Sequence, residues 1–253
     1  MKIGNPQNEH IPALRALWKE AFGDPDSYLD LFFHTAFSYD RCYAVTEGKE
    51  VQAALYVLRA EADFRPIAYL YAIATRRAYR SRGLCRRLME ETHRALADAG
   101  YVGAILVPSE PSLFAFYEKM GYKTATGIHT LHAAAGEEKI PLRKVGKDEY
   151  ARARRRLLPP HSVIQEGEGL ALLEKTAELY IGERIALAAR EEPERLYGIE
   201  LLGDVTLAPA ILATLGYAKG SFRTPGDTVP FSMYRPLLRE GELFPSHFGF
   251  AFD

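Results

Sequence analysis

Cysteine is nearly absent from this chain of 253 residues. Cys42 and Cys85 are too few and too far apart for a disulfide framework or a zinc site, so reduced thiols and no metal are expected. Charge of one sign is lacking as well. The 32 Lys+Arg against 33 Asp+Glu leave a net charge of −1, which gives no support to a general affinity for nucleic acid or anionic membrane. No run of about 18 apolar residues occurs, and the N-terminal segment has no charged stretch leading into an apolar core. Neither a spanning helix nor a secretory signal is expected. What remains, 47 % hydrophobic and 26 % charged residues, is ordinary for a globular cytoplasmic protein long enough for two cores.

Local pattern is more informative. An apolar β-type run from Ile67 to Ala74 feeds the turn Arg80-Ser81-Arg82-Gly83-Leu84-Cys85, after which Leu84, Leu88 and Met89 recur at helical spacing. Free N–H groups at the start of such a helix point toward the turn, where the macrodipole also favours negative charge. Gly83 lets a phosphate approach the main chain, and the arginines add ionised donors. The ordinary alternative is a surface cluster opening a basic helix, since six arginines fall within residues 76–87.

The order strand, Arg-x-x-Gly-x-(small), helix resembles the acyl-CoA loop of the GNAT N-acetyltransferase superfamily, whose motif is Gln/Arg-x-x-Gly-x-Gly/Ala. Here it reads Arg80, Gly83, Cys85, with Cys where Gly or Ala is usual. Downstream, Tyr101 to Val107 reads as a buried strand and Ser112 to Tyr122 as a short helix ended by Gly121. Its end, Phe116-Tyr117-Glu118-Lys119-Met120-Gly121-Tyr122, matches the family's Phe/Leu-Tyr-x-Lys-x-Gly-Phe/Tyr. With a strand at 1–3, helices at 11–22 and 27–36, strands at 42–46 and 51–60, and a helix at 84–98, the elements run β-α-α-β-β-β-α-β-α. That order resembles the GNAT core, an α/β (α+β) fold with a central mixed, mostly antiparallel sheet flanked by helices.

A boundary is placed near residue 135, giving a GNAT catalytic domain over 1–135 and a smaller, degenerate GNAT-like domain over 136–253. The second part is expected to hold a helix at 148–158, strands at 184–190 and 195–202, a helix at 207–215, and strands at 221–224 and 231–236. Leu215-Gly216-Tyr217 echoes Met120-Gly121-Tyr122, which places Leu212 where Tyr117 stands. Strand-helix-strand units also end this way without duplication. The two-part plan is similar to bacterial tandem-GNAT acetyltransferases of the enhanced-intracellular-survival type.

The resemblance implies acetyl-CoA as cosubstrate and direct transfer to an amine, without a covalent enzyme intermediate. Its pantetheine arm would lie along Ile73, Ala74 and Thr75 as an added strand, and Arg80, Ser81, Arg82, Gly83, Leu84, Cys85 and Arg86 would hold the diphosphate. Tyr117 would protonate the departing sulfur, although periodicity alone reads it as a core tyrosine. Asp253, after the alternating His247-Phe248-Gly249-Phe250-Ala251-Phe252, is the candidate carboxylate for the amine, against the alternative of an edge strand ending in solvent.

Glu110, seven residues before Tyr117, stands where many GNAT enzymes carry Asn and reads first as a helix N-terminal residue. Arg152 and Arg154 to Arg156 read as a solvated face or a contact for the adenine 3′-phosphate. Asp24, Asp26, Glu61 and Asp63 would suit a cationic acceptor, a small molecule such as a polyamine or aminoglycoside, or a peptide amine. Monomer and homo-oligomer stay open. The rival reading is a non-catalytic acyl-CoA-binding sensor or interaction module.

Overall fold

A computed structural model describes residues 1–238 and 244–252. The first half of the chain forms β1 (Lys2–Gly4), α1 (Ile11–Phe22), α2 (Asp26–Thr35), β2 (Cys42–Glu47), β3 (Glu50–Ala62), β4 (Arg65–Thr75), α3 (Leu84–Asp98), β5 (Gly103–Leu106), α4 (Ser112–Glu118) and β6 (Lys123–Ala134). The second forms β7 (Arg143–Lys144), α5 (Lys147–Leu157), β8 (Ser162–Val163), α6 (Glu168–Thr176), β9 (Glu178–Ile181), β10 (Ile185–Glu192), β11 (Arg195–Gly203), α7 (Ala208–Leu215), β12 (Lys219–Gly226), β13 (Val229–Pro236) and β14 (His247–Phe248). Among the described residues no helix is long and apolar enough to cross a membrane.

The helices form where apolar residues recur on one face. Leu14, Leu17 and Trp18 of α1 point inward, and so do Leu84, Leu88, Met89 and Leu96 of α3. On one face of the sheet, α1, α2, α5, α6 and Phe248 to Phe252 share a core. On the other, α3 and α4 cover the first half and α7 the second.

One mixed sheet of 12 strands runs through the molecule, in the order β1-β2-β3-β4-β5-β13-β6-β12-β11-β10-β9-β7. From either edge the plan is the same: antiparallel neighbours, then one parallel pair, β4 with β5 and β11 with β12. At the centre the halves trade strands. β13 of the second half pairs with β5, while β6 of the first half pairs with β12 from Gly127 to Ala134.

Two expectations are corrected here. α7 bridges the parallel pair β11 and β12, as α3 bridges β4 and β5, so its counterpart is α3. The echo of Leu215-Gly216-Tyr217 is therefore Ala99-Gly100-Tyr101, and Leu212 does not stand in the place of Tyr117; Gly100 and Gly216 both end their helices at positive φ, 85° and 81°. Arg154, expected on a solvated face, is 2 % exposed and paired with Glu200. It lies under the C-terminal segment, with its guanidinium bonded to Glu200 and set over the Phe250 ring. Its neighbour Arg155 is held by Glu166 and Glu61. The strand β9 and the helix α6 were not expected from the sequence.

Candidate active site

The parallel pair β4 and β5 stays in register only at Ile67 with Gly103, Ala68 with Ala104 and Tyr69 with Ile105. β5 then ends at Leu106 while β4 runs on to Thr75. The β5-facing edge of residues 70–75 is left as a row of main-chain donors and acceptors, a template for one more extended chain. β4 also bulges there. Between the pairs Ala54 with Ala74 and Tyr56 with Tyr71, Ala72 and Ile73 face the single residue Leu55, and Ala72 takes φ 48°. A bulge turns main-chain groups out of the ladder, here toward the notch between the strands.

Beyond Thr75 the chain turns into α3. Ser81 and Gly83 both have positive φ, 62° and 73°, and nothing lies within 4 Å of where a Gly83 Cβ would stand. The backbone angle, not space, calls for glycine. The first helical bond runs from Arg87 N–H to the Gly83 carbonyl at 3.1 Å, so the N–H groups of Leu84, Cys85 and Arg86 point forward without helical partners. Alternation of positive and negative φ before them makes a concavity suited to an anion.

The six arginines divide. The Arg76 guanidinium donates to the Val51 carbonyl and to Glu20 of α1, and the main-chain N–H of Arg77 donates to Glu20 as well. Arg80 Nε donates to the Thr75 carbonyl at 3.1 Å, and Arg82 stacks on Tyr79 at 5.2 Å. Arg80 and Arg82 thus flank the turn, and Arg80, Ser81, Arg82, Gly83, Arg86 and Arg87 are all exposed. Leu84 is buried and half-buried Cys85 faces the core below, where burial pushes its thiol up to about 11.

A cavity of about 810 Å³ opens at the notch. Residues 70–73 of β4, Val107 to Ser109, Leu113 and Tyr117 line it. Tyr117 is 7 % exposed, its ring set against Phe116 and Tyr122 at 5.2 and 5.9 Å. Its hydroxyl has no hydrogen-bond partner among the described residues. Burial, and then proximity to Cys85, push its pKa well above the ordinary tyrosine value, so it keeps its proton.

The far wall comes from distant segments. Trp18, Asp24 and Tyr28 enter from α1, α2 and the turn between them, Thr176, Arg190, Arg223 and Phe231 from the second half, and Ala251 and Phe252 from the C-terminal segment. Trp18 Nε1 donates to Asp24 Oδ2 at 2.7 Å. Tyr71 donates to the Phe252 carbonyl at 3.1 Å, so the 2.8 Å contact between Tyr28 and Tyr71 has Tyr28 as donor.

Of the expected residues, Ile73 and Tyr117 meet in the cavity. Ala74, Thr75 and Arg80 to Arg86 continue outside it toward the helix start. Asp253 lies outside the described residues. Glu110 is exposed, accepts from Ser112 at 3.0 Å and does not line the cavity. Asp24 lines it, whereas Asp26, Glu61 and Asp63 pair with Lys19, Arg155 and His161. The second-half lining was missed because no short-range sequence signal marks a contact between strands so far apart.

Residues 2–125 match the family described as "Acetyltransferase (GNAT) domain". The N-acetyltransferase Eis of Mycobacterium tuberculosis is 41 % identical over 66 residues, which is 26 % of this chain and 16 % of that protein. The match thus spans about one-sixth of the curated relative's length. In fold the likeness is longer. The GCN5-related N-acetyltransferase from Kribbella flavida superposes with a TM-score of 0.71 at 18 % identity over 93 % of this chain and 70 % of its own. Eis1 from Mycobacterium abscessus gives 0.68 at 16 % over 94 % and 74 %. By its motifs and the family match, residues 2–125 form a GNAT acetyltransferase domain with relatives of the Eis type, and nearly the whole chain shares the fold of these structures.

Proposed function

We propose that this protein is an acetyl-CoA-dependent N-acetyltransferase that passes the acetyl group directly to an amine. The observation that carries this reading is one cavity shared by the unpaired edge of β4 and the unpartnered hydroxyl of Tyr117. Acetyl-CoA supplies the activated thioester. Ile73, Ala74 and Thr75 bind its arm through main-chain groups, and the amides from Ser81 to Arg86 take the diphosphate, with Arg80 and Arg82 alongside. A main-chain N–H at the Ala72–Ile73 bulge donates to the acetyl oxygen as charge gathers there. The N–C bond to the amine forms, the C–S bond breaks, and the sulfur takes its proton from Tyr117.

The amine is held as its cation before transfer. Asp24, fixed by Trp18, supplies the negative charge, and the aromatic faces of Trp18, Tyr28 and Tyr71 suit an ammonium group. A small polyamine-like or aminoglycoside-like molecule, or a peptide amine, fits this description. Asp253, which follows the cavity residue Phe252, takes the amine proton in this reading. The free thiols Cys42 and Cys85 suit a reducing, cytoplasmic setting.

The function is tested by following thiol release from acetyl-CoA with a panel of primary amines. Turnover on cationic amines supports it; tight cofactor binding with no turnover on any amine supports a sensor instead. Deleting Phe252 and Asp253 lowers kcat by about 10²-fold, the loss of a general base, with little change in acetyl-CoA affinity. Unchanged kcat in that variant ends the role of Asp253.

A further inference from the structure

We propose that Arg235 is a positioning residue for Tyr117, reaching from the second half of the chain to fix the end of the helix that carries the acid. The inference rests on the reading of Tyr117 as the proton donor. α4 has only seven residues, and the turn that closes it is tied to Tyr117 itself. The N–H groups of Met120 and Tyr122 both donate to the Tyr117 carbonyl, at 2.9 and 3.2 Å. Arg235 Nη1 donates to the Met120 carbonyl at 2.5 Å, a charge-assisted bond at the negative end of the helix dipole.

The exchanged strand delivers this guanidinium. On β13, Arg235 is in register with Ala104 of β5, and Tyr234 pairs with Ile105 of β5 and Lys123 of β6. β13 therefore threads between the two strands that α4 joins, and its register sets the height of α4 above the sheet. A second contact converges on the same corner. Tyr122 is buried with its hydroxyl 2.7 Å from His93 Nε2 on α3, and its ring stands edge-on to Tyr117. Burial, with the Arg235 charge adding to it, lowers His93 to about 3, so the imidazole stays neutral and Tyr122 has one fixed neutral partner. Arg235 and His93 line one surface pocket, and the Arg235 Nε stands 3.6 Å from where a Gly121 Cβ would be, so the guanidinium and the His93–Tyr122 pair hold the α4 turn from two sides.

A double-mutant cycle in the full chain tests this. Arg235→Met is expected to lower kcat about tenfold when Tyr117 is present and less than about twofold in the Tyr117→Phe background, because coupled residues are not additive. Acetyl-CoA affinity, measured by calorimetry, stays nearly constant in both backgrounds, and Arg235→Lys, which keeps a donor for Met120, recovers part of kcat. Should Arg235→Met fold poorly, Arg235→Lys and Tyr122→Phe carry the same cycle. An equal loss of kcat in the two backgrounds overturns the positioning role and leaves the acid standing. Full turnover in Tyr117→Phe alone removes both.

Discussion

Tyr117→Phe lowers kcat by about 10²- to 10⁴-fold, the range of a positioned general acid, with acetyl-CoA affinity and thermal stability little changed. The substitution removes one oxygen that bonds no described protein group, so no buried partner is left unsatisfied. The ring contacts with Phe116 and Tyr122 remain. What disappears is the proton that Tyr117 offers to the departing sulfur. Burial that raises this tyrosine also raises the cost of a thiolate beside it, so a neutral thiol is favoured in the same cavity. Because its pKa is pushed up, ionisation of Tyr117 adds no falling limb to the kcat profile at neutral or mildly basic pH. Steady-state kinetics beside calorimetric cofactor binding checks this; turnover within about threefold of the parent protein excludes Tyr117 as the acid.

Glu200→Gln destabilises the protein by about 3–5 kcal/mol, as expected when a buried ion pair loses one partner. Arg154 Nε and Nη2 donate to the two oxygens of Glu200 at 2.7 and 2.9 Å, with the side chains 2 % and 1 % exposed. Tyr150 donates to Oε2 at 3.0 Å. The guanidinium also faces the Phe250 ring at 4.8 Å, and Gly249 passes so close that a Cβ there would stand 1.6 Å from Glu200 Oε1. Loss of the charge strands Arg154 beneath the segment that runs into the cavity. Gln165 holds that segment too, donating to the Phe250 carbonyl at 2.6 Å and accepting from its N–H at 3.3 Å.

Burial pushes Glu200 up, but Arg154 outweighs it, with His247 Nε2 at 3.7 Å acting in the same direction, and the carboxyl falls from 4.5 to about 2. A folded pKa below the unfolded one means that stability is present at neutral pH. It is lost as pH falls from about 4.5 toward about 2. Thermal melts between pH 7 and pH 3 should therefore converge for the parent and Glu200→Gln proteins as acidity rises. Replacing both partners by apolar residues, Arg154→Met with Glu200→Leu, should restore much of the loss. A single variant as stable as the parent at pH 7 contradicts the account of this cluster.

The parts legible in the sequence are those whose signals are local. The Arg80 to Cys85 turn could be read because positive φ, a helix start and an apolar strand lie within one short segment. The Tyr117 helix could be read for a similar reason. Arg154 could not, since α5 looks solvated until a segment about a hundred residues later covers it. The strand exchange was equally hidden: β6 and β13 carry ordinary strand patterns, and their partners are chosen by long-range packing. Leu-Gly-Tyr after α7 was matched to the wrong unit, because glycine ends both α3 and the α4 turn. Only the parallel pairing on either side of a helix tells the two apart.

The most direct test is a crystal structure of the protein with coenzyme A. The account predicts the diphosphate on the N–H groups that follow Gly83, the arm along β4 from Thr75 to Ala72, and the sulfur within hydrogen-bond reach of the Tyr117 hydroxyl. Coenzyme A bound away from the start of α3, or with its sulfur out of reach of Tyr117, would contradict it.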